Sequence, residues 1–262
     1  MMLICPKCKN PLIKVDHSYK CENGHCFDIA KRGYVNLVLG SSKGSGDDKE
    51  MVRSRTAFLN RGYYANLREY LSNLVTTYGC STMVDAGCGE GYYTNYLKQQ
   101  HPFMELCGFD LSKYAIDEAC KAHAGVTYGV CNIFHLPIAD EYCDGVLSVF
   151  APIDEVENKR VLKTGGIFIK VGPGPKHLWE LKQELYKDVY ENEIENGYDE
   201  FELIQEEILD DKICINQKED IWSLFQMTPY YWRTKQELAN HLKELDQLTV
   251  TTEFHITVYR KK

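Results

Sequence analysis

Met83-Val84-Asp85-Ala86-Gly87-Cys88-Gly89-Glu90-Gly91 is the stretch on which the fold turns. Residues 82–86 read as a strand, the three glycines as a tight turn, and residues 92–100 as the helix that the turn opens. Glycines at such a turn let the backbone approach a bound ligand. No Lys-Ser/Thr pair follows, so nothing points to a triphosphate cradle. Asp85 precedes the glycines, where it can engage an amino group. Asp110 ends the next strand, where a carboxylate can accept ribose hydroxyls; it could also cap the following helix, as could Ser112.

An amino group and a ribose on one ligand describe S-adenosylmethionine, and the outward reading supports it. Further strands are expected over 104–109, 126–130, 145–150 and 166–171, with helices over 113–122 and 154–162 between them. This alternation predicts an α/β fold, a parallel sheet with helices on both faces. Asn132 and Ile133 follow the third strand, where a polar and an apolar side chain could hold the adenine. Phe150-Ala151-Pro152 follows the fourth, at the mouth where a target base would sit. All these positions lie at the carboxyl ends of parallel strands, where open α/β sheets bind ligands. Ahead of the sheet, Phe58, Leu67, Leu71, Leu74 and Val75 mark one buried face of a helical stretch over 51–78. Behind it are expected an amphipathic helix over 177–194, strands over 202–215 and 248–259, and helices over 219–227 and 235–245.

The first 36 residues are a different kind of sequence. Cys5-x2-Cys8 is followed, twelve residues on, by Cys21-x3-His25, with Cys26 adjacent. Two knuckles that each present a close pair of N/S ligands supply a tetrahedral zinc site. Cys5, Cys8, Cys21 and His25 are the expected ligands, with Cys26 the alternative to His25. Four protein ligands close the shell, so the zinc is expected to be structural. So small a segment has too little core of its own, and a metal staple answers that need. Seven other cysteines are scattered and read as small buried residues. Disulfides are not expected in a chain that shows no secretion signal, and the expectation is a cytoplasmic protein. No apolar run approaches the ~18 residues of a membrane span.

The net charge is −8, yet residues 1–62 carry 11 Lys/Arg against 6 Asp/Glu. The acidic balance therefore lies entirely downstream. Lys7, Lys9, Lys14, Lys20, Lys31 and Arg32, interleaved with Tyr19, Phe27 and Tyr34, suit RNA, where charge meets phosphate and rings stack on unpaired bases. The rings could equally form the segment's own core, the better reading for Phe27. Residues 40–50, Gly-Ser-Ser-Lys-Gly-Ser-Gly-Asp-Asp-Lys-Glu, have linker composition. The expected organisation is thus a zinc-binding RNA-recognition module (1–39), a flexible linker (40–50) and a catalytic domain (51–262).

These residues together resemble the large-subunit ribosomal RNA guanine-N1 methyltransferases of the RlmA type. The resemblance rests on the zinc spacing, on Ala30-Lys31-Arg32-Gly33-Tyr34-Val35-Asn36-Leu37, on Gly87-Cys88-Gly89-Glu90-Gly91-Tyr92-Tyr93-Thr94, on Gly172-Pro173-Gly174-Pro175-Lys176-His177-Leu178, and on Gln226-Met227-Thr228-Pro229-Tyr230-Tyr231-Trp232-Arg233. It implies a class I S-adenosylmethionine-dependent methyltransferase, Rossmann-like, with a seven-stranded, mostly parallel sheet. It also implies methylation of guanine N1 in a hairpin loop of 23S rRNA, a link to macrolide susceptibility, and a homodimer whose zinc modules flank an RNA cleft. By position it implies cofactor contacts from Tyr64, Gly89, Glu90 and His177, beside Asp85, Gly87, Asp110, Asn132 and Ile133. Two other readings compete: a small-molecule methyltransferase with a zinc-stapled cap, and a non-catalytic RNA-binding protein. No general base can be named from the sequence. Asp154 and Glu155 could reach the target or could serve their own helix.

Overall fold

The computed structural model describes residues 3–40, 46–194 and 197–262. Residues 41–45, the middle of the expected linker, lie outside them. The zinc segment forms a small antiparallel sheet of β1 (Ile13–Val15), β2 (Ser18–Lys20) and β3 (Cys26–Asp28). It then leaves through β4 (Val35–Asn36), which pairs parallel with a strand of the large sheet.

Helix α1 (Lys49–Asn60) starts on Asp48, whose side chain accepts the Met51 N–H at 2.9 Å, a cap worth ~1 kcal/mol. Helix α2 (Ala65–Tyr78) follows. The single helix expected over 51–78 is therefore two. Gly62 has φ +86°, a left-handed conformation that ends a right-handed helix, and it turns the chain between them.

The alternating core then runs β5 (Thr82–Ala86), α3 (Tyr92–Gln100), β6 (Glu105–Asp110), α4 (Lys113–Ala119), β7 (Thr127–Val130), β8 (Cys143–Val149), α5 (Glu155–Val161) and β9 (Leu162–Pro173). Helix α6 (Trp179–Leu185), β10 (Phe201–Ile215), α7 (Lys218–Gln226), the short α8 (Tyr230–Arg233) and α9 (Gln236–Ala239), and β11 (Leu248–Lys261) complete it. The helix expected over 177–194 stops at Leu185. Its apolar face of Leu181 and Leu185 ends there. Lys182, within the helix, donates to the Tyr190 carbonyl and to Asn192 Oδ1, and Asn192 donates to the Gly174 carbonyl, so residues 186–194 are held in irregular structure. The helix expected over 235–245 is likewise only α9 and a 3₁₀ turn, Asn240–Glu244.

The large sheet has eight strands in the order β10-β11-β9-β8-β5-β6-β7-β4. Seven are those expected from the alternating region and tail. The eighth, β4, is lent by the zinc segment. Strands β4 to β9 are parallel, and β11 is antiparallel to both its neighbours. Leu3, Cys5, Leu12, Cys21, Val35 and Leu37 share a core cluster with Val84, Phe109, Val146 and Phe168, so the zinc segment packs directly on one sheet face. The other face is covered by α1, α2, α3, α6 and α7 through Phe58, Leu67, Leu71, Leu97, Leu181 and Leu224. The chain leaves β5 toward β6 on one side and returns to β8 on the other. That reversal opens a crevice at the strand ends, the place where such sheets bind ligands.

Candidate functional site

The crevice is a cavity of about 810 Å³. Its floor is the glycine turn after β5. Gly87, Gly89 and Gly91 all have positive φ. A Cβ on Gly87 would stand 2.4 Å from that of Ala151, so the turn fits only without a side chain. Asp110 at the end of β6 holds the turn: its Oδ2 accepts the Gly89 N–H at 3.0 Å and its Oδ1 the Ser112 N–H at 2.7 Å. Ser112, not Asp110, caps α4, through the Ala115 N–H. Burial pushes the Asp110 carboxyl upward, against the pull of those two N–H groups.

Asp85 is 2% exposed. Its Oδ2 accepts the Thr94 hydroxyl at 2.5 Å, while its Oδ1 is buried with no hydrogen-bond partner. Desolvation pushes this carboxyl up to about 7, although the Thr94 bond works the other way. A buried acceptor left without a donor costs ~1–3 kcal/mol, and an ammonium group in the cavity would relieve it.

Glu90 lines the cavity, and Arg55 of α1 meets it. Arg55 Nε donates to Glu90 Oε2 at 2.5 Å, and its Nη1 to Asp47 Oδ2 at the same distance. Ser112 Oγ donates to the Asp47 carbonyl at 2.7 Å. Residues 46–48 are thereby strapped to the glycine turn and to the start of α4.

The opposite wall is aromatic. Tyr64 is buried at the N-terminus of α2, edge-on to Phe58, Phe254 and His177, and its hydroxyl has no partner. Tyr63 instead donates to Asp220 and does not line the cavity. His177 Nδ1 accepts the Glu253 N–H at 3.2 Å, which leaves the ring proton on Nε2. Burial lowers His177 to about 3, so it is neutral. Phe150, at the end of β8, has φ +53° and is 45% exposed, with its ring 5.5 Å from His177 and 6.1 Å from Phe254. Asn132 Oδ1 caps the turn at Ile133–His135 through the Phe134 N–H, and both Asn132 and Ile133 line the cavity.

Every cofactor candidate therefore borders one cavity: Tyr64, Asp85, Gly87, Gly89, Glu90, Asp110, Asn132, Ile133 and His177. Asp154 and Glu155 do not. Asp154 caps α5, and Glu155 accepts the Glu200 N–H. Sequence reasoning missed Arg55, Thr94, Phe254, Lys170 and His255. Thr94 had a signal, one polar residue inside the first turn of α3 on the side of Asp85. Arg55 had none, because its partner Glu90 is 35 residues away in sequence and meets it only in the fold.

In the N-terminal segment, the ligand atoms of Cys5, Cys8, Cys21 and His25 all lie within 4.8 Å of one another. Cys8 Sγ and Cys21 Sγ are 3.6 Å apart, and His25 Nδ1 is 3.4 Å from the sulfurs of Cys5 and Cys21. Those spacings are the edges of a tetrahedron with ~2.0–2.3 Å metal bonds, so the donor set fits zinc. Cys26 is exposed on β3 and lies outside this cluster.

Comparison with known proteins matches these parts. A zinc-ribbon family model described as "RlmA, N-terminal" covers residues 3–45, and one described as "Methyltransferase domain" covers residues 84–170. The 23S rRNA (guanine(748)-N(1))-methyltransferase of Streptomyces fradiae is 32% identical over 98% of this chain and 96% of its own. A Bacillus subtilis (strain 168) protein, provisionally named for 23S rRNA guanine-N(1) methylation, is 29% identical over 99% of this chain and 97% of its own. A malonyl-[acyl-carrier protein] O-methyltransferase of Hahella chejuensis is 35% identical, over only 40% of this chain and 41% of its own.

Proposed function

Because the chain belongs to the family of 23S rRNA guanine-N1 methyltransferases, we propose that it methylates N1 of a guanine in a hairpin loop of 23S rRNA, with S-adenosylmethionine as donor. The observation that carries this is the span of the likeness. The Streptomyces relative is matched through the zinc segment and the sheet alike. The likeness to the carrier-protein methyltransferase covers less than half the chain.

When bound, S-adenosylmethionine supplies an electrophilic methyl group on a sulfonium. The chain's residues fit it. Asp85 Oδ1 receives the amino group, with Thr94 fixing the carboxylate. Asp110 faces the ribose, and Asn132 and Ile133 the adenine. Tyr64, Glu90 and His177 close the amino-acid end, with Arg55 holding Glu90. Phe150 offers its exposed ring to the target guanine, which must leave its stack to reach the cavity. Much of the rate then comes from holding N1 in line with the methyl carbon. Zinc on Cys5, Cys8, Cys21 and His25 stiffens the RNA-recognition module (1–39). Residues 40–50 join it to the methyltransferase domain (51–262). The working unit is a homodimer in the cytoplasm, and loss of the methyl group changes macrolide susceptibility.

Among the described residues no helix is long and apolar enough to cross a membrane. The test is incubation with labelled S-adenosylmethionine and unmodified 23S rRNA, followed by mapping of the product base. Label at N1 of one hairpin guanine is expected. Label in a free metabolite, or none in RNA, overturns the proposal.

A further inference from the structure

Guanine N1 carries a proton at neutral pH, so the methyl transfer needs a base. The two obvious candidates in the cavity fail. His177 is neutral with its Nδ1 lone pair already used by the Glu253 N–H, and burial makes it a very weak base. Asp85 is committed to Thr94 and to the cofactor end.

A third group stands on the other side of the sheet's end. His255, on β11, alternates with Phe254. Phe254 joins the aromatic wall, and His255 turns to the opposite face. It is 3% exposed and lines the cavity. Its Nε2 lies 2.7 Å from Glu206 Oε1 on β10. A carboxylate there makes Nε2 the proton-bearing nitrogen. Nδ1 makes no hydrogen bond among the described residues, so its lone pair remains available. The cross-strand neighbour of His255 is Gly172, and a Cβ built there would meet nothing within 4 Å. Gly172 thus leaves room at this point of the cavity, although the His255 ring itself is buried from solvent. Lys170, two residues back on β9, lines the same cavity and adds positive charge to that wall.

We propose that His255, oriented by Glu206, is the general base that takes the guanine N1 proton; this rests on the guanine-N1 reading above. The N1–H bond breaks and its proton passes to His255 Nδ1. The N1 electron pair forms the new bond to the methyl carbon, and the electrons of the broken C–S bond stay on sulfur. Glu206, half-exposed, stabilises the imidazolium and gives it contact with solvent. Among the described residues, Glu206 of β10 hydrogen-bonds the ring, and the charged Lys170 of β9 and Glu193 of the segment after α6 line the same cavity.

The experiment uses the full chain with an unmodified 23S rRNA hairpin transcript. His255→Gln is expected to lower kcat roughly 10²- to 10⁴-fold with little change in RNA affinity. The activity left should climb steadily with pH as guanine N1 ionises unaided, whereas the wild type levels off. Imidazole should partly rescue His255→Ala. Glu206→Gln should cost less and shift the wild-type pH profile. Independently of turnover, ¹⁵N NMR of the His255 ring should show the proton on Nε2 and a shift of Nδ1 when the hairpin is added. If wild-type protein methylates guanine N1 while His255→Gln keeps its rate and pH profile, the base assignment is overturned alone. If the wild type leaves N1 unmodified, the underlying reading falls instead. A His255→Gln chain that unfolds leaves the Glu206→Gln pH profile and the ring NMR to decide, and no change in either overturns the assignment.

Discussion

Thr94 donates its hydroxyl to one oxygen of Asp85 and leaves the other buried without a donor. The carboxyl is pushed up to about 7 from an ordinary 3.8. The folded state disfavours its charged form, so the cost to stability is absent below about pH 4 and complete above about pH 7. Asp85→Asn should therefore raise the melting temperature of the ligand-free protein at pH 8 and leave it unchanged near pH 4. The shift corresponds to at most ~4 kcal/mol. The same substitution removes the charge that an ammonium group needs, so S-adenosylmethionine affinity should fall roughly 10- to 150-fold. Wild-type affinity should itself decline as pH drops below about 7. Calorimetric titration and thermal melts across pH check both halves. A variant that is more stable and still binds normally would remove Asp85 from the cofactor site.

The zinc cluster supports more than its own segment, because β4 is an edge strand of the large sheet and Leu3, Val35 and Leu37 lie in the shared core. Zinc removal should expose that side of the sheet. Chelation, or Cys8→Ser, is expected to abolish bound zinc and lower the melting temperature of the whole chain by several degrees, consistent with metal binding supplying folding energy. Cys26→Ser should keep one zinc per chain, while His25→Ala should lose or weaken it. Metal analysis of the purified variants decides between the two neighbours.

The ease of reading these regions from sequence follows from where their signals lie. The glycine turn and the zinc spacing are local: each chemical requirement is met within a few residues, so Asp85, Gly87 and Cys5 through His25 were legible. Asp110 and Asn132 were legible because their positions are fixed by the alternation of strand and helix. Arg55, Phe254 and His255 were not, since each acts through partners brought together by the sheet order, and an isolated Arg or His in a periodic stretch resembles any other. The helix over 177–194 was overextended for the same reason. Its polar half is drawn off the helix axis by Lys182, which holds Asn192, and by Asn192, which donates to the Gly174 carbonyl, contacts that no local pattern encodes.

Arg55 is one such hidden residue, and its loss should be costly. It is enclosed between Glu90 and Asp47, and Arg55→Ala leaves two carboxylates facing each other without a counter-charge. Breaking a buried pair in this way costs ~3–5 kcal/mol. Arg55→Lys should recover little, because one ammonium cannot reproduce a guanidinium fork between two acceptors. Arg55→Ala with Glu90→Gln should be more stable than Arg55→Ala alone. Urea unfolding measures the stabilities, and cofactor titration should show weaker binding in each variant, since Glu90 belongs to the glycine turn.

Phe150 gives the sharpest test of where the target base sits. Its φ of +53° costs ~1–2 kcal/mol for a residue with a side chain, yet its N–H still donates to the Val171 carbonyl at 2.9 Å. The chain thus holds a strained phenylalanine at the cavity mouth with nearly half its surface uncovered. Packing alone explains this poorly, because so exposed a ring adds little to the core. Stacking on an unpaired base is worth ~1–3 kcal/mol, so Phe150→Ala should weaken kcat/KM for the hairpin roughly 5- to 150-fold. Cofactor affinity should hold. Phe150→Tyr should retain most activity, and Phe150→Gly should be as inactive as Phe150→Ala but more stable, because glycine tolerates the backbone. Comparing the alanine and glycine variants separates the ring's role from the strain: equal loss of activity with unequal melting temperatures is the expected pattern. Phe150→Ala with unchanged rate and RNA affinity would leave the ring no part in holding the guanine.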